Sequence, residues 1–552
     1  MVVDPRAPSS PGDIETDVCV VGAGPAGIAF ARECIGGPFR VCLLETGWFE
    51  KDEKLEALSA GLVESRHFGP GALAGGRRRQ FGGTANLWGY QTEPSSGRTY
   101  ARSVPPEPGD LIQRSWQPGS GWPCSAGQLQ SFYARAQQLW NGGPFDYSIE
   151  TWADSATSRP SLDTSSLTSK IAQHGPSDVF TLRYRDDIFT APNISVQLGS
   201  TAVRLESDRS GAVVQRATVV RADGSTFSVT AKAFVLACGG VENVQLLLLS
   251  EATAPGGVGN RHGNVGCYVT DHPEFRMGMI TPAGPDVMDA IGLYDLHWSG
   301  QCMISGFLTL AEDVKQRERL LNVSAALVPQ PAGFGTASER SLRSLLGARQ
   351  RGRTPRAWSH VRTVLSSHRD TAAVLRARLG RGGNYSEYQG GWSRPGVDRR
   401  RFKVIEVHAA TEQTAERDNS IALSDRRDWM GRKQPTLRWR WSATDQENVA
   451  RSLRILGEEF TSAGLGTYQQ WVDFNGPVRP VYSGIHHPMG GTRMHEDPEQ
   501  GVVNGECRVH GMENLYVAGS SVFPTGHGYA NPTLTLLALT IRLADHVKDR
   551  MT

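Results

Sequence analysis

The chain has 552 residues, 39% apolar and 21% charged, and its 58 Lys and Arg nearly balance 56 Asp and Glu for a net charge of +2. This is enough apolar mass to fill two or three cored domains, and it excludes a disordered chain, a small disulfide-stapled fold and, at so low a net charge, a protein built to hold nucleic acid. The eight cysteines include no C-x-x-C pair, which points away from zinc and dithiol chemistry and toward a reducing, cytoplasmic setting.

The N-terminal MVVDPRAPSSPGDIETD lacks the basic and apolar regions of a secretory leader, and no apolar run reaches the ~18 residues that would cross a membrane. Residues 17–21 (DVCVV) predict a strand. Gly22-Ala-Gly24-Pro-Ala-Gly27 follows, then a helical pattern through Ile28, Ala31 and Cys34, then a second strand at 40–44 that ends in Glu45, 18 residues beyond Gly27. Glycines alone make ordinary tight turns. Strand, glycine turn, helix, second strand and terminal acid together match the dinucleotide fingerprint, in which backbone approaches a pyrophosphate at a helix N-terminus and the acid holds a ribose. The pattern does not separate FAD from NAD.

Residues 75–90 read GGRRRQFGGTANLWGY, with Gly82-Gly83-Thr84 just before Asn86 and Trp88. Such a run suits backbone laid against a flat ligand, or else a glycine-rich surface loop. Strands are predicted at 194–198 and 212–220, with Asp223-Gly224 as a hairpin turn before 226–230. Residues 233–237 (AFVLA) then lead through Cys238-Gly239-Gly240 into the helix VENVQLLLLS, a second strand-glycine-helix unit for the same sheet. Farther on, 302–308 and 322–327 are strand-like. Residues 340–401 hold fifteen arginines, no lysine and three acids, a local +12 that leaves −10 on the rest of a chain totalling +2. A solvated helical face would explain the run. So would a basic helical hairpin hinged at Gly380, Gly382 and Gly383, which caps a site or admits an anionic or glycosylated substrate. Trp358, Tyr385, Tyr388 and Trp392 lie in or beside this stretch as sugar-stacking rings or as plain core and rim aromatics.

Near the C-terminus stand GIHHPMGGTRM (484–494) and NLYVAGSSVFPTGHGYANPTLTLLAL (514–539). The second opens as a strand at 515–518 and ends in a helix with Asn531 at its cap, Pro532 in its first position and an apolar stripe through Leu534, Leu537, Ala538, Ile541 and Ala544. The free N–H groups of that helix start suit a developing anion.

In this order, GAGPAG with Glu45, GGTANLWG, VLACGGVEN, HHPMGGTRM and NLYVAGSSVFP with NPTLT resemble the glucose-methanol-choline (GMC) flavoprotein oxidoreductases. They look closest to the pyranose-oxidase-like branch, which includes bacterial glycoside 3-oxidases. The resemblance implies an α/β fold: a Rossmann-like, p-hydroxybenzoate-hydroxylase-like FAD-binding domain from residues 14–90, 194–268 and 480–552. A substrate or lid segment falls at 91–193 and an inserted α+β substrate domain at 269–479. It implies FAD with the pyrophosphate at Gly22, Gly24 and Gly27, the adenosine ribose on Glu45, and the flavin near Gly83, Thr84, Asn86, Gly519 and Pro532, with Val203, Ser520 and Thr533 also in contact. It makes His487 the base and Asn531 its partner, His486 the near alternative and His527 a weaker one, while His510 reads as structural. Ala85 stands where fungal members carry a histidine bonded to the flavin, so non-covalent FAD is expected. The implied reaction oxidises a hydroxyl of a sugar or glycoside, by proton removal and hydride transfer to flavin N5, with O2 or a quinone as acceptor. Oxidation of an aminosugar primary alcohol or a hydrophobic or aryl alcohol, a flavin-retaining lyase, and a binder without catalysis are the alternatives. Neither nucleic acid nor membrane is an expected partner.

Overall fold

Valine-rich runs bury best in the middle of a parallel sheet, where both faces are covered. The first such run forms β1 (Ile14–Val21), the glycine turn leads into α1 (Pro25–Glu33), and β2 (Val41–Leu44) returns parallel to β1 with Cys19 opposite Cys42. Both thiols are fully buried and act as small apolar side chains. The computed structural model describes residues 12–91, 97–153, 162–252, 254–339, 341–342, 345, 357–368, 371–372, 375, 388–472 and 485–552.

Around β1 the sheet runs in the order Ile194–Gln197, β2, β1, Thr226–Leu236, with Leu515–Val517 parallel to the end of the last strand. The start of Thr226–Leu236 also turns back antiparallel through Val214–Arg221 and Ser200–Ser207. Two details differ from the pattern reading. The separate runs 226–230 and 233–237 are one strand, because Lys232 between them points to solvent and pairs with Asp17 at 2.9 Å rather than breaking the ladder. Ser200–Ser207, too polar at both ends to read as a strand, pairs along its length with its hairpin partner.

A second sheet is antiparallel throughout: Gly466–Gln470, Glu274–Pro282, Phe402–Thr411, Val323–Pro331, Cys302–Leu310, Leu167–Pro176 and Tyr100–Ser103, in that order. Segment 91–193 thus supplies two strands to the sheet made mainly by 269–479. Its helix Ala126–Trp140 packs on the C-terminal helix Pro532–Met551, where Tyr133 Oη and Thr535 Oγ1 lie 3.0 Å apart. Within 340–401, the helix Ala357–Ser366 is seen with Trp358 86% exposed, which removes that ring from any pocket. Tyr385 and the hinge glycines Gly380, Gly382 and Gly383 lie outside the described residues, as does most of the proposed basic hairpin.

Candidate active site

Between the two sheets lies a cavity of about 500 Å³, and its floor is backbone. At Gly22, φ is +104° and a Cβ would come within 2.6 Å of the Ala237 carbonyl, so only glycine leaves β1 this way. The chain enters α1 at Gly24 with no side-chain cap, which leaves the first-turn N–H groups facing the cavity edge. Gly83, at φ +52°, packs so closely on Gly24 that a Cβ would sit 2.9 Å from its Cα. Glu45 is buried: Oε2 accepts from Ala23 N at 2.8 Å, Oε1 accepts from Gly47 N at 2.7 Å, and burial raises its carboxyl pKa against these bonds. Thr201 and Ala202 continue the wall.

Beside this end sits a buried charge cluster. Arg77 Nη1 donates to Glu242, Arg79 Nη2 donates to Glu242 Oε1 at 2.8 Å, and Arg432 lines the same wall. Burial alone would raise the Glu242 carboxyl, but the two guanidinium groups hold it below its ordinary value.

The opposite end carries the histidines. Asp271, fully buried, accepts the backbone N–H groups of His272 at 2.8 Å, His486 at 2.9 Å and His487 at 3.2 Å, and so gathers two chain segments at one carboxylate. Burial pushes its pKa to about 6 against these bonds. Thr270 and Met489 exchange backbone bonds, and Ser520 Oγ donates to Pro488 O at 2.7 Å, pinning the loop from both sides. The His487 ring stacks on His272 at 4.4 Å and 7°. Burial, then His486 and Arg102, bring the His487 pKa down to about 3, so the imidazole is neutral. Asp271, His272 and His487 bring potential ligand atoms within 4.8 Å of one another. Parallel rings, however, aim their in-plane lone pairs side by side rather than at a common point, which is a stacking geometry.

Asn531 lies at the N-cap of Pro532–Met551, yet its side chain makes no capping bond. Its Oδ1 instead accepts from Arg102 Nη1 at 2.9 Å, so the amide is not spent on its own helix. His486, His487 and Asn531 line one cavity with Gly22, Gly24, Glu45, Gly83, Thr84, Gly519, Ser520, Pro532 and Thr533.

Three expected contacts are not on that surface. Gly27 lies inside α1, where a Cβ would strike the Gly22 carbonyl, so it serves helix-to-strand packing. Asn86 donates to Phe81 O at 3.0 Å and Gly83 O at 2.9 Å, and so braces the glycine turn. Val203 falls in the β-bulge between Ala202 and Arg204, out of step with its lining neighbours. His527 is fully buried, stacks on Trp122 and does not line the cavity. His510 bonds to the His495 carbonyl at 2.8 Å.

A smaller cavity of about 90 Å³ adjoins through Tyr90, Arg102, Glu274 and Asn531, with Phe307, Tyr529, Trp392, Ser305 and Asp295 in its walls. Tyr388 lines the main cavity and packs on Tyr90. Arg102, Glu274 and His272 were not singled out from sequence. Thr270-Asp271-His272-Pro273 is a compact polar run between two strand-like stretches that could have drawn notice, whereas Arg102 stands in no motif.

The main cavity is of cofactor size, and its glycine floor, uncapped helix start and buried acid fit a dinucleotide. Residues 415–540 match a family model described as GMC oxidoreductase. Among curated proteins, the chain is 24% identical over 327 residues to the fructose dehydrogenase large subunit of Gluconobacter japonicus, covering 59% of this chain and 48% of that protein. It is 25% identical over 359 residues to paromamine 6'-oxidase of Streptomyces fradiae, covering 64% and 52%. The chain thus spans about half the length of these relatives. Among solved structures, a formate oxidase superposes over 98% of this chain and 99% of its own with a TM-score of 0.55 at 15% identity. A fungal aryl-alcohol oxidase does so over 98% and 100% with a TM-score of 0.54 at 15% identity. The fold is therefore the two-sheet α/β fold that these oxidases share, one sheet mixed and the other antiparallel.

Proposed function

We propose that this chain, which carries the GMC signature at 415–540, is an FAD-dependent oxidoreductase that converts a hydroxyl of a sugar or glycoside to a carbonyl. One observation carries the reading: His487 and Asn531, from loops 44 residues apart, meet on one glycine-floored cavity that opens into a polar and aromatic one. Gly22, Gly24 and the start of α1 would hold the FAD pyrophosphate, Glu45 its ribose, and Gly83, Gly519 and Pro532 the ring system. When bound, FAD supplies the hydride acceptor.

The chain supplies the rest. His487 Nδ1 is buried without a partner, which leaves Nε2 as the nitrogen that meets a substrate hydroxyl. A neutral imidazole there accepts the hydroxyl proton as the C–H bond breaks, and stacking on His272 keeps the ring from turning away. Asn531, whose side chain is not spent on capping its own helix, is the polar partner for the substrate oxygen. Tyr90 and Tyr388 suit the apolar faces of a sugar ring and Ser305 its hydroxyls. With an alanine, Ala85, buried in the middle of the turn Gly83–Leu87, the cofactor is held without a covalent bond there.

The pyranose-oxidase-like branch and 3-oxidation are the finer form of this proposal, supported by motif order. Oxidation of an aminosugar primary alcohol is the second reading, supported by the similarity to paromamine 6'-oxidase. The test is anaerobic mixing with glycosides, free sugars, aminosugars and aryl alcohols while flavin absorbance is followed. Bleaching by a glycoside supports the first reading and bleaching by an aminosugar alone the second. Aldehyde release without bleaching would reveal a lyase and overturn both.

A further inference from the structure

Arg102 reaches the site from the short strand Tyr100–Ser103, which pairs with Leu167–Pro176 so that Arg102 stands opposite His174. Its Nη1 donates to two acceptors of one loop, the Tyr529 carbonyl and Asn531 Oδ1, the latter at 2.9 Å. The guanidinium lies 4.6 Å above the Phe307 ring, and Arg102 lines both cavities. A guanidinium donates only. The Asn531 amide therefore cannot turn over without setting N–H against N–H and giving up a charge-assisted bond. This bond also accounts for an N-cap asparagine that does not cap.

We propose that Arg102 is a positioning residue for alcohol oxidation: it locks the Asn531 amide with Nδ2 toward the substrate oxygen, making Asn531 an obligate donor to the charge that develops there. The proposal rests on the reading of His487 and Asn531 above. It goes beyond that reading in assigning Asn531 its polarity and in naming a residue that fixes it. The Tyr529 bond adds rigidity, since it ties the guanidinium to the backbone two residues before the amide. Among the described residues, Arg102, Glu274, His486, His272 and Asp271 are the charged and titratable groups near His487, and Arg102 lowers its pKa, so the loss of this cation is felt at the base as well.

The test is a double-mutant cycle on flavin reduction in the holoenzyme, using Arg102→Met, Arg102→Lys, Asn531→Ala and the Arg102→Met/Asn531→Ala pair. Arg102→Met should slow reduction by roughly 100-fold, the scale set by loss of one oriented donor, while FAD content per chain stays unchanged. In the Asn531→Ala background the same change should cost less than about threefold, because the amide it positions is gone. Arg102→Lys, which keeps the charge but loses the planar fork, should fall between. An equal loss in both backgrounds would overturn the proposal. The second readout needs no substrate: in enzyme labelled with 13C at the histidine rings, Arg102→Met should move the His487 titration upward and Arg102→Lys should leave it near wild type. An unmoved titration in Arg102→Met would also count against it. If no alcohol bleaches the wild-type flavin, the functional reading fails and the titration still reports on Arg102.

Discussion

His487 is held neutral by burial, and that has consequences for both rate and stability. An ordinary histidine begins to protonate near pH 6.5, whereas this one, with a pKa of about 3, keeps its acceptor nitrogen available in mild acid. Flavin reduction should therefore hold its plateau down the acid side well below pH 6.5, and a fall centred at pH 6.5 in stopped-flow rates would contradict the assignment. His487→Ala should slow reduction by about 10² to 10⁴-fold, the span of general-base removal, while absorbance at saturating FAD shows the cofactor retained. The same burial costs stability in acid. The folded pKa lies below the unfolded one, so the folded state binds fewer protons between pH 6.5 and 3. The contribution is fully present above pH 6.5 and is lost as pH falls toward 3. His272 and His174 are shifted the same way, mainly by burial, and Asp271, raised to about 6, acts in the opposite sense. His487→Asn should thus lose less stability between pH 7 and pH 4.5 than wild type in urea unfolding, by a few kcal/mol at most.

At the scale of elements, the parts most legible from sequence were those whose contacts are local. The turn from β1 into α1 closes within six residues, and the requirement for glycine at 22 and 27 is a backbone requirement that leaves a direct trace in the chain. Its use was less legible: Gly27 fits the spacing of the fingerprint but meets the Gly22 carbonyl rather than the cavity. Gly27→Ala should therefore abolish FAD retention by displacing α1, measured as FAD per purified chain. Gly127 supplies the control. It lies in the first turn of Ala126–Trp140, where an added methyl group would meet open space, so Gly127→Ala should bind FAD normally and change unfolding by no more than about 0.5 kcal/mol. The contribution of Tyr100–Ser103 was not legible at all. Four residues, YARS, carry neither periodicity nor motif. What makes them matter is a partner 429 positions away, since Arg102 meets Asn531 only after the antiparallel sheet has been built.

The whole molecule works as one site made from separated pieces. The main cavity takes its walls from 21–26, 44–46, 76–90, 101–102, 200–202, 237–249 and 486–536, with Glu274, Tyr388 and Arg432, and some of these pieces are tied at the cavity itself, Ala23 N–H to Glu45 and Arg77 and Arg79 to Glu242. The loop that carries Asn531 is anchored farther off by buried polar contacts of long reach. Arg114 pairs with Glu412, which also accepts from Asn322, while Asn322 Nδ2 donates to Asp110 and Tyr529 Oη donates to the same carboxylate. Such a network fixes the loop that carries Asn531 only while every member is satisfied, since a buried charge that loses its partner costs several kcal/mol. FAD touching all of these pieces would act as one more tie, and because the proposed attachment is non-covalent its effect must follow mass action. Enzyme stripped of FAD should melt lower than holoenzyme, and returning FAD should raise the midpoint in proportion to the logarithm of free FAD. At 100 times the dissociation constant the added stability should be about 2.7 kcal/mol. A midpoint that ignores added FAD while the chromophore stays on the acid-precipitated chain would mean a covalent bond, contrary to what Ala85 leads one to expect. A midpoint that ignores FAD with no chromophore bound would mean that the cavity is not a flavin site.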